Sequence, residues 1–413
     1  MTENQEIIKP SQIINKVSVW LCDAHQPSSY EFMIKEILYY HNRQPVLRDI
    51  FLRHHSSTLN ILPKNHSNSH YKQIKIFCDL YYDDFGTFRS VYHSLGGLYL
   101  QFGNMKLKDR QKLKNHFLVG FVPFGGKFDE VITPFIQDIQ HLEHGFLITI
   151  DNIELWVSGG LGITTADLPQ GNDLAGTLRH NATLGCRTCK ASHNDLTNAS
   201  FDITKHGRYH HLTNIEFERI QSLSILSQKR NLASSLGLRL FPNSLDQLIR
   251  DRHVSTPQDI FHCFAGKANR LLNATFNLLS SSGEDVFIGI WKFFEVPSCW
   301  SRQQNPITHL ASYFMSDILR LVMIIPFILQ RCLTPDLLKR DALKNMKAKL
   351  KLQSRQHVIN KIIKCWVQFS LTTRKVFSKN LTNEDYIILQ KMLELECQIL
   401  LEVILIYIIH LIF

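Results

Sequence analysis

From Tyr71 onward the chain alternates apolar and polar side chains. In YKQIKIFCDLYYDD, Ile74, Ile76, Cys78 and Leu80 recur at every second residue, the period of a strand with one buried face, and the run ends on Asp83 and Asp84. GGLYLQF (96–102) and HFLVGFVPFGG (116–126) read as a second and a third strand. Three strand signals joined by polar connections predict an antiparallel meander. The period then changes. KFDEVITPFIQDIQHLEHG spaces Val131, Phe135, Ile136, Ile139 and Leu142 at helical intervals and stops at Gly145, with Pro134 requiring the helix to start near it. FLITI (146–150) and IELWVSGGLGITTADLP (153–169) return to strand.

The remainder is mostly helical. Residues 1–70 mix short helical patterns (SSYEFMIKEILYYHN) with a polar linker, HHSSTLNILPKNHSNSH. From Ile203 to Phe241 the chain is polar and His-rich, then helical. QDIFHCFAGKANRLLNATFNLLSSSG (258–283) is a strong amphipathic helix ending at Gly283. Beyond Trp291 nearly every segment reads as helix, and no internal repeat is present. The expected organisation is an N-terminal helical and linker region (1–70), a mixed α/β core (71–283) and a helical C-terminal region (284–413).

Length and composition are those of a globular protein: 413 residues, 44% hydrophobic and 20% charged, which excludes disordered and collagen-like classes for most of the chain. Lys and Arg exceed Asp and Glu by ten, a balance that favours an anionic partner such as nucleic acid. Nine cysteines, an odd and sparse set, and a start (MTENQEIIKPSQ) without a basic-then-apolar signal point to an intracellular, reducing compartment. Ile318–Leu329 carries Arg320 and Pro326 and reads as a buried helix. The apolar run Val403–Phe413 is half the roughly twenty residues that a spanning helix needs, so no membrane partner is expected.

The candidate chemistry sits where apolar runs end on acids. Strand, strand, strand, helix, strand is the order of the first half of a ribonuclease H-like domain, in which acids close the first strand and the strand after the helix; Asp83 and Asp167 occupy those positions. Carboxylates converging from different strands suit Mg²⁺ or Mn²⁺, since two such ions about 4 Å apart activate water or a 3′-hydroxyl in phosphodiester chemistry. Asp79 shares the strand face of Asp83. Beyond Asp167, the loop GNDLAG leads toward Cys186 and Cys189, and His206, His210 and His211 follow at a workable zinc spacing, with His193 in reserve; this predicts a zinc-binding insertion over about 176–215. Each feature also has a plainer reading. Asp83, Asp84 and Asp167 can cap turns, Asp259 can be a helix N-cap, and the histidines and thiols can be ordinary loop residues. The basic run from Lys339 to Lys364, with Asp341 its single acid, can track a phosphate backbone or be a solvated helix face.

YYDDFGTFRSVYHSLGGLYL, LGITTADLPQGNDLAG, GCRTC, KHGRYHHL and DIFHCFAGK occur in the order of the motifs of CACTA-type (En/Spm-like) transposases and their fungal relatives, which the chain resembles over roughly residues 70–280. The resemblance implies a ribonuclease H-like core with Asp83 as first catalytic acid and Asp167 as second. It further aligns Asp173, Leu174 and Gly176 with an Asp-Leu-x-Gly element, and Cys186 and Cys189 with a Cys pair. The distal histidines fall on His206, His210 or His211, and the Asp-x-x-His element on Asp259 and His262. The family's third acid, a Glu two residues after the helix histidine, is Phe264 here, which leaves Asp259 or Glu284 as substitutes. The function implied is metal-dependent cutting and joining of transposon DNA ends in the nucleus, as a homo-oligomer or with an accessory transposon protein; a decayed, non-catalytic DNA-binding copy is the alternative.

Overall fold

In the computed structural model the described residues are 71–404, save 87–93, 193, 196–197, 199 and 204, together with the backbone of three short strands that precede them. Those strands, β1 (Val17–Leu21), β2 (Ile34–His41) and β3 (Gln44–Asp49), form an antiparallel sheet in that order. Within SSYEFMIKEILYYHN, expected to be helical, the described part IKEILYYH is a strand, and the rest lies outside the described residues. IKEILYYH fits either period, and its Ile and Tyr content favours a strand once partners flank it on both sides. The linker HHSSTLNILPKNHSNSH and the run beyond Ile404 lie outside the described residues.

The described residues fall into two compact units, one closing at Asp259 and one opening at Ile260, the latter grouped with Asn194–Ser200. The division comes before the expected boundary at 283/284. The amphipathic pattern of 258–283 shows that a helix forms, but not which core receives its apolar face.

The first unit is built on a five-stranded mixed sheet. Its strands are β4 (Lys72–Gly86), β5 (Ser94–Phe102), β6 (Phe117–Val122), β7 (Phe146–Ile150) and β8 (Ile153–Ala166), in the order β6-β5-β4-β8-β7. All pairs are antiparallel except β4 with β8. A one-turn helix, α1 (Leu107–Arg110), follows β5, and α2 (Phe128–His144) crosses from β6 to β7. β7 and β8 form a hairpin whose turn residues, Asp151 and Asn152, have φ of 50° and 62°, the left-handed pair that a tight two-residue turn requires.

α2 buries Ile132, Phe135, Ile136, Ile139 and Leu142 against Leu80, Leu98, Val122, Val157 and Leu161 of the sheet. Pro134 lies inside this helix and does not begin it. An interior proline costs about 3 kcal/mol, whereas each large apolar side chain taken from water contributes about 1.5–3 kcal/mol, so burial of five of them carries the helix through. β8 holds an extra residue between the partners of Cys78 and Leu80. Asp79 fills the irregularity: Ile163 N–H donates to its Oδ1 at 2.9 Å and Arg110 to its Oδ2 at 2.7 Å. Asp79 therefore locks a bulge.

The unit continues through α3 (Leu168–Leu174), α4 (His210–Ser222) and α5 (Leu226–Leu236). The second unit comprises α6 (Ile260–Leu278), α7 (Ser281–Phe293), the one-turn α8 (Pro306–His309), α9 (Met315–Cys332), α10 (Arg340–Lys349), α11 (Arg355–Val376) and α12 (Asn383–Ile404). Its apolar core includes Leu272, Phe287, Val322, Ile325, Trp366 and Phe369, with the Trp366 indole N–H donating to Thr275 at 2.9 Å. Gly283, the expected helix end, instead falls in the first turn of α7, where its N–H donates to the Ser280 cap. Among the described residues no helix is long and apolar enough to cross a membrane.

Candidate active site

β4 and β8 run side by side with Tyr82 opposite Ala166, so the next residue on each is an acid, Asp83 and Asp167. Neighbouring strands are about 4.8 Å apart, which makes these two backbones adjacent although 83 and 167 are distant in sequence. On the other flank Asp83 and Asp84 are paired with Gly97 and Gly96 of β5. A Cβ on Gly96 would meet the Tyr82 ring at 2.8 Å and Asp84 Oδ1 at 2.9 Å, so this strand passes the acids without a side chain between.

Successive strand residues point to opposite faces, so Asp83 and its neighbour Asp84 point apart. Asp83 accepts the Tyr81 hydroxyl at 2.9 Å, and Asp84 accepts the Tyr82 hydroxyl at 3.0 Å. Burial, then Asp83, then Asp259 and Asp167 push the Tyr81 phenol well above its usual range. Asp83, Asp167 and Asp259, proposed from sequence as the catalytic set, thus all act on one phenol.

Asp167 closes β8 and caps α3, accepting the Gln170 N–H at 2.8 Å, so the turn-capping reading of this acid holds. The expected GNDLAG loop is largely the body of this helix, which an N-cap Asp and Pro169 in the first turn start. Gln170 then reaches from α3 to Asp84 Oδ2 at 3.0 Å, tying the ends of the two parallel strands together. Asp173 belongs to ion pairs with Arg179, at 2.7 Å, and Arg239. Asp173 raises the pKa of Arg179, and Asp167 and Asp84 add to the effect.

Arg187, between the two cysteines, was not singled out from sequence. Its side chain is fully buried and donates to the carbonyls of Leu168, Thr256 and Pro257, at 3.0, 3.1 and 2.7 Å, and to Asn172 Oδ1 at 3.2 Å. A Cβ on Gly171 would come within 2.4 Å of the guanidinium, which is why glycine interrupts α3 there. Burial lowers the Arg187 pKa, opposed by Cys186, Asp259 and Asp167. One buried cation thus ties the helix that begins at Asp167 to the segment that precedes Asp259. The available signals were an arginine flanked by two cysteines and a glycine inside a helix.

Cys186 and Cys189 lie within hydrogen-bond reach of each other. Donation from the Cys189 thiol and the Thr188 N–H, the latter at 3.4 Å, lowers the Cys186 pKa and favours its thiolate. The strand-like pairing of Cys189 with Gly207, and the Lys190 N–H donating to the His206 carbonyl at 2.8 Å, bring His206 alongside in the backbone. The His206 ring packs on Phe201, centroids 5.2 Å apart. His210 and His211 open α4, and His210 Nδ1 accepts the Arg252 N–H at 3.2 Å. The two thiols are thus close together. Among the described residues no three His, Cys, Asp or Glu side chains come together to hold a metal ion, and His193 lies outside those residues.

Phe264, at the position of the family's third acid, is buried in the helical unit and stacks on Phe369 with ring centroids 6.0 Å apart. Glu284 stands in the first turn of α7, favourable to the helix dipole. Compared with protein-family models and with curated proteins, the chain matches none.

Proposed function

We propose that the chain is a transposase-derived protein whose first unit has a ribonuclease H-like core and performs metal-dependent cleavage and transfer of DNA strands at transposon ends. The observation that carries this reading is that Asp83 and Asp167 each follow the last paired residues of the parallel strands β4 and β8, with Asp83 beside the glycine-lined β5. Asp259, which acts on the same Tyr81 phenol, replaces the third acid lost at Phe264. Asp83 and Asp167 would hold Mg²⁺ or Mn²⁺, which when bound activates the attacking oxygen and stabilises the leaving one. The chain's own groups keep the acids in place: Gln170 links Asp84 to the Asp167 turn, and Arg187 holds the Asp167 and Asp259 segments together. Zn²⁺ on Cys186 and Cys189, completed by His206, His210 or His211, is the structural ion of this reading. Nuclear location, and assembly as a homo-oligomer or with an accessory transposon protein, follow from it.

The test is nicking of supercoiled DNA in Mn²⁺ or Mg²⁺. The wild-type chain should nick and lose the activity in EDTA, while Asp83→Ala, Asp167→Ala and Asp259→Ala should each be inactive although folded. Equal nicking by wild type and Asp83→Ala overturns the assignment. The second reading, a DNA-binding protein that no longer cuts, is favoured by the apolar surroundings of Phe264. It predicts retained DNA binding with no nicking by any variant. For zinc, the purified chain should carry equimolar metal that Cys186→Ser loses.

A further inference from the structure

The helical unit contains a cavity of about 510 Å³ among the end of α7, the segment that follows it and the first half of α9. That volume lies in the range of sites that enclose small organic ligands. Its walls combine four aromatic rings with polar groups, among them the acids Glu295, exposed, and Asp317, buried. Trp291 and Phe293 come from the last turn of α7, and Phe294 and Trp300 from the connecting segment. Trp291 is anchored by stacking on Phe287, 6.4 Å between centroids at 9°, and Phe294 lies under Arg331 at 5.6 Å. Phe293 is left 86% exposed at the rim.

Polar groups sit at definite places in this aromatic frame. Asp317, buried on α9, accepts from Gln303 at 3.0 Å and from Arg320 at 2.9 Å, and the Arg320 guanidinium lies 5.8 Å from the centre of the Trp300 ring. Arg320 is thus occupied by Asp317 and Trp300. Lys292 and Arg302 are exposed lining residues, and Arg302 donates to the Lys292 backbone carbonyl, joining the two segments that carry them. Aromatic rings beside hydrogen-bonding groups, with Lys292 and Arg302 exposed in the lining against the single exposed acid Glu295, suit a ligand that is planar at one end and anionic at the other.

We infer that this cavity binds one unpaired nucleotide of a single DNA strand, with the base among Trp291, Phe293 and Trp300 and the phosphate at Lys292 and Arg302. Stacking of bases on aromatic rings together with backbone capture by cations is the general chemistry of single-strand recognition. A buried duplex base cannot enter, so the site distinguishes an unpaired strand from a paired one. Residues 260–413, which contain the cavity, carry nineteen Lys and Arg against eleven Asp and Glu, a bias that selects an anionic ligand over an apolar peptide. The site shares no residue with the carboxylates of the first unit, and the proposed binding involves no metal.

The experiment is fluorescence anisotropy of the full chain with a short fluorescein-labelled single strand in EDTA, alongside the same sequence as duplex. The single strand should bind, and Trp fluorescence should fall on binding. Phe293→Ala and Arg302→Ala, both at exposed positions, should weaken single-strand binding about tenfold or more and leave duplex binding within about twofold. Trp300→Phe should recover most of what Trp300→Ala loses. Asp83→Asn should bind as wild type, so loss of nicking and loss of this site are read separately. Unchanged single-strand affinity in Phe293→Ala and Arg302→Ala, or equal loss on single strand and duplex, overturns the inference; so does displacement by an apolar peptide and not by the strand.

Discussion

The two units use the same residue types in opposite ways. Residues 1–259 hold twenty-seven Lys and Arg against twenty-five Asp and Glu, close to balance, and several of those cations are inside: Arg187, Arg208, Arg250 and Arg252 are all buried. Arg208 donates to the carbonyls of Cys186, Leu184 and Leu236, and Arg250 and Arg252 share Asp246. In the helical unit the core is mostly apolar, with Asp317 and Glu396 buried, and most of its cations face water, with Lys339, Arg340, Lys344, Lys349, Lys351, Arg355 and Lys364 exposed. Where loops rather than strands must be held in place, a guanidinium with its fixed fork of donors satisfies several carbonyls at once. Where helices satisfy their own backbones, most cations stay at the surface.

Arg187→Ala should show the largest effect. It removes four hydrogen bonds and leaves buried carbonyls at Leu168 and Thr256 without that donor, for a loss of about 4–5 kcal/mol from the first unit in urea unfolding. Arg355→Ala, an exposed cation on α11, should stay within about 0.5 kcal/mol of wild type. Similar losses for the two would erase the contrast.

The reverse substitution is Phe264→Glu. It places an acid where the proposed transposase reading expects its third one, but at a position stacked on Phe369 in the helical core. Lys267 lies 4.6 Å from the Phe264 ring and is already paired with Glu396 at 2.6 Å, so it is a shared partner at best. Burying the new carboxylate should cost about 3 kcal/mol and leave nicking no higher than wild type. A gain in cleavage would mean that Phe264 faces the chemistry after all.

Two buried groups of the first unit give its stability opposite pH slopes. Burial pushes Glu143 from 4.5 up to about 7, so between those values the unfolded chain releases a proton that the folded chain keeps, and stability falls as pH rises. Burial pushes His253 from 6.5 down to about 3, so below 6.5 the unfolded chain takes up a proton that the folded chain refuses, and stability falls as pH drops. His253 is held by the Arg187 carbonyl at its Nδ1 and by Thr213 at its Nε2, which suits a neutral ring protonated on Nδ1. Glu143→Gln should flatten the limb between about pH 5 and 7 by about 2 kcal/mol, and His253→Asn should soften only the acid limb.

How much of this is legible in sequence depends on whether a signal is local. Alternation at Ile74, Ile76, Cys78 and Leu80 suffices for β4, and the element order places Asp83 beside Asp167. IKEILYYH is ambiguous because its apolar residues satisfy both periods, and only pairing with β1 and β3 decides it. α3 is hidden because Gly171 and Asn172 are poor helix formers, kept there by contacts with Arg187. The cavity by Trp300 is hidden altogether, since its walls come from two helices and a connecting segment whose packing no periodicity encodes.

The smallest stability effect tests the outer cations. Replacing Lys344, Lys349 and Lys351 with Ala should leave unfolding within about 0.5 kcal/mol, because all three are exposed on or just after α10. If the run follows a phosphate backbone, each lost contact should lower the slope of log affinity against log salt by about 0.9 on duplex DNA, so the triple variant should fall by between two and three. An unchanged slope would make the run a solvated face. The contrast with Arg187 would then be one of burial alone, with no ligand served by the outer charge.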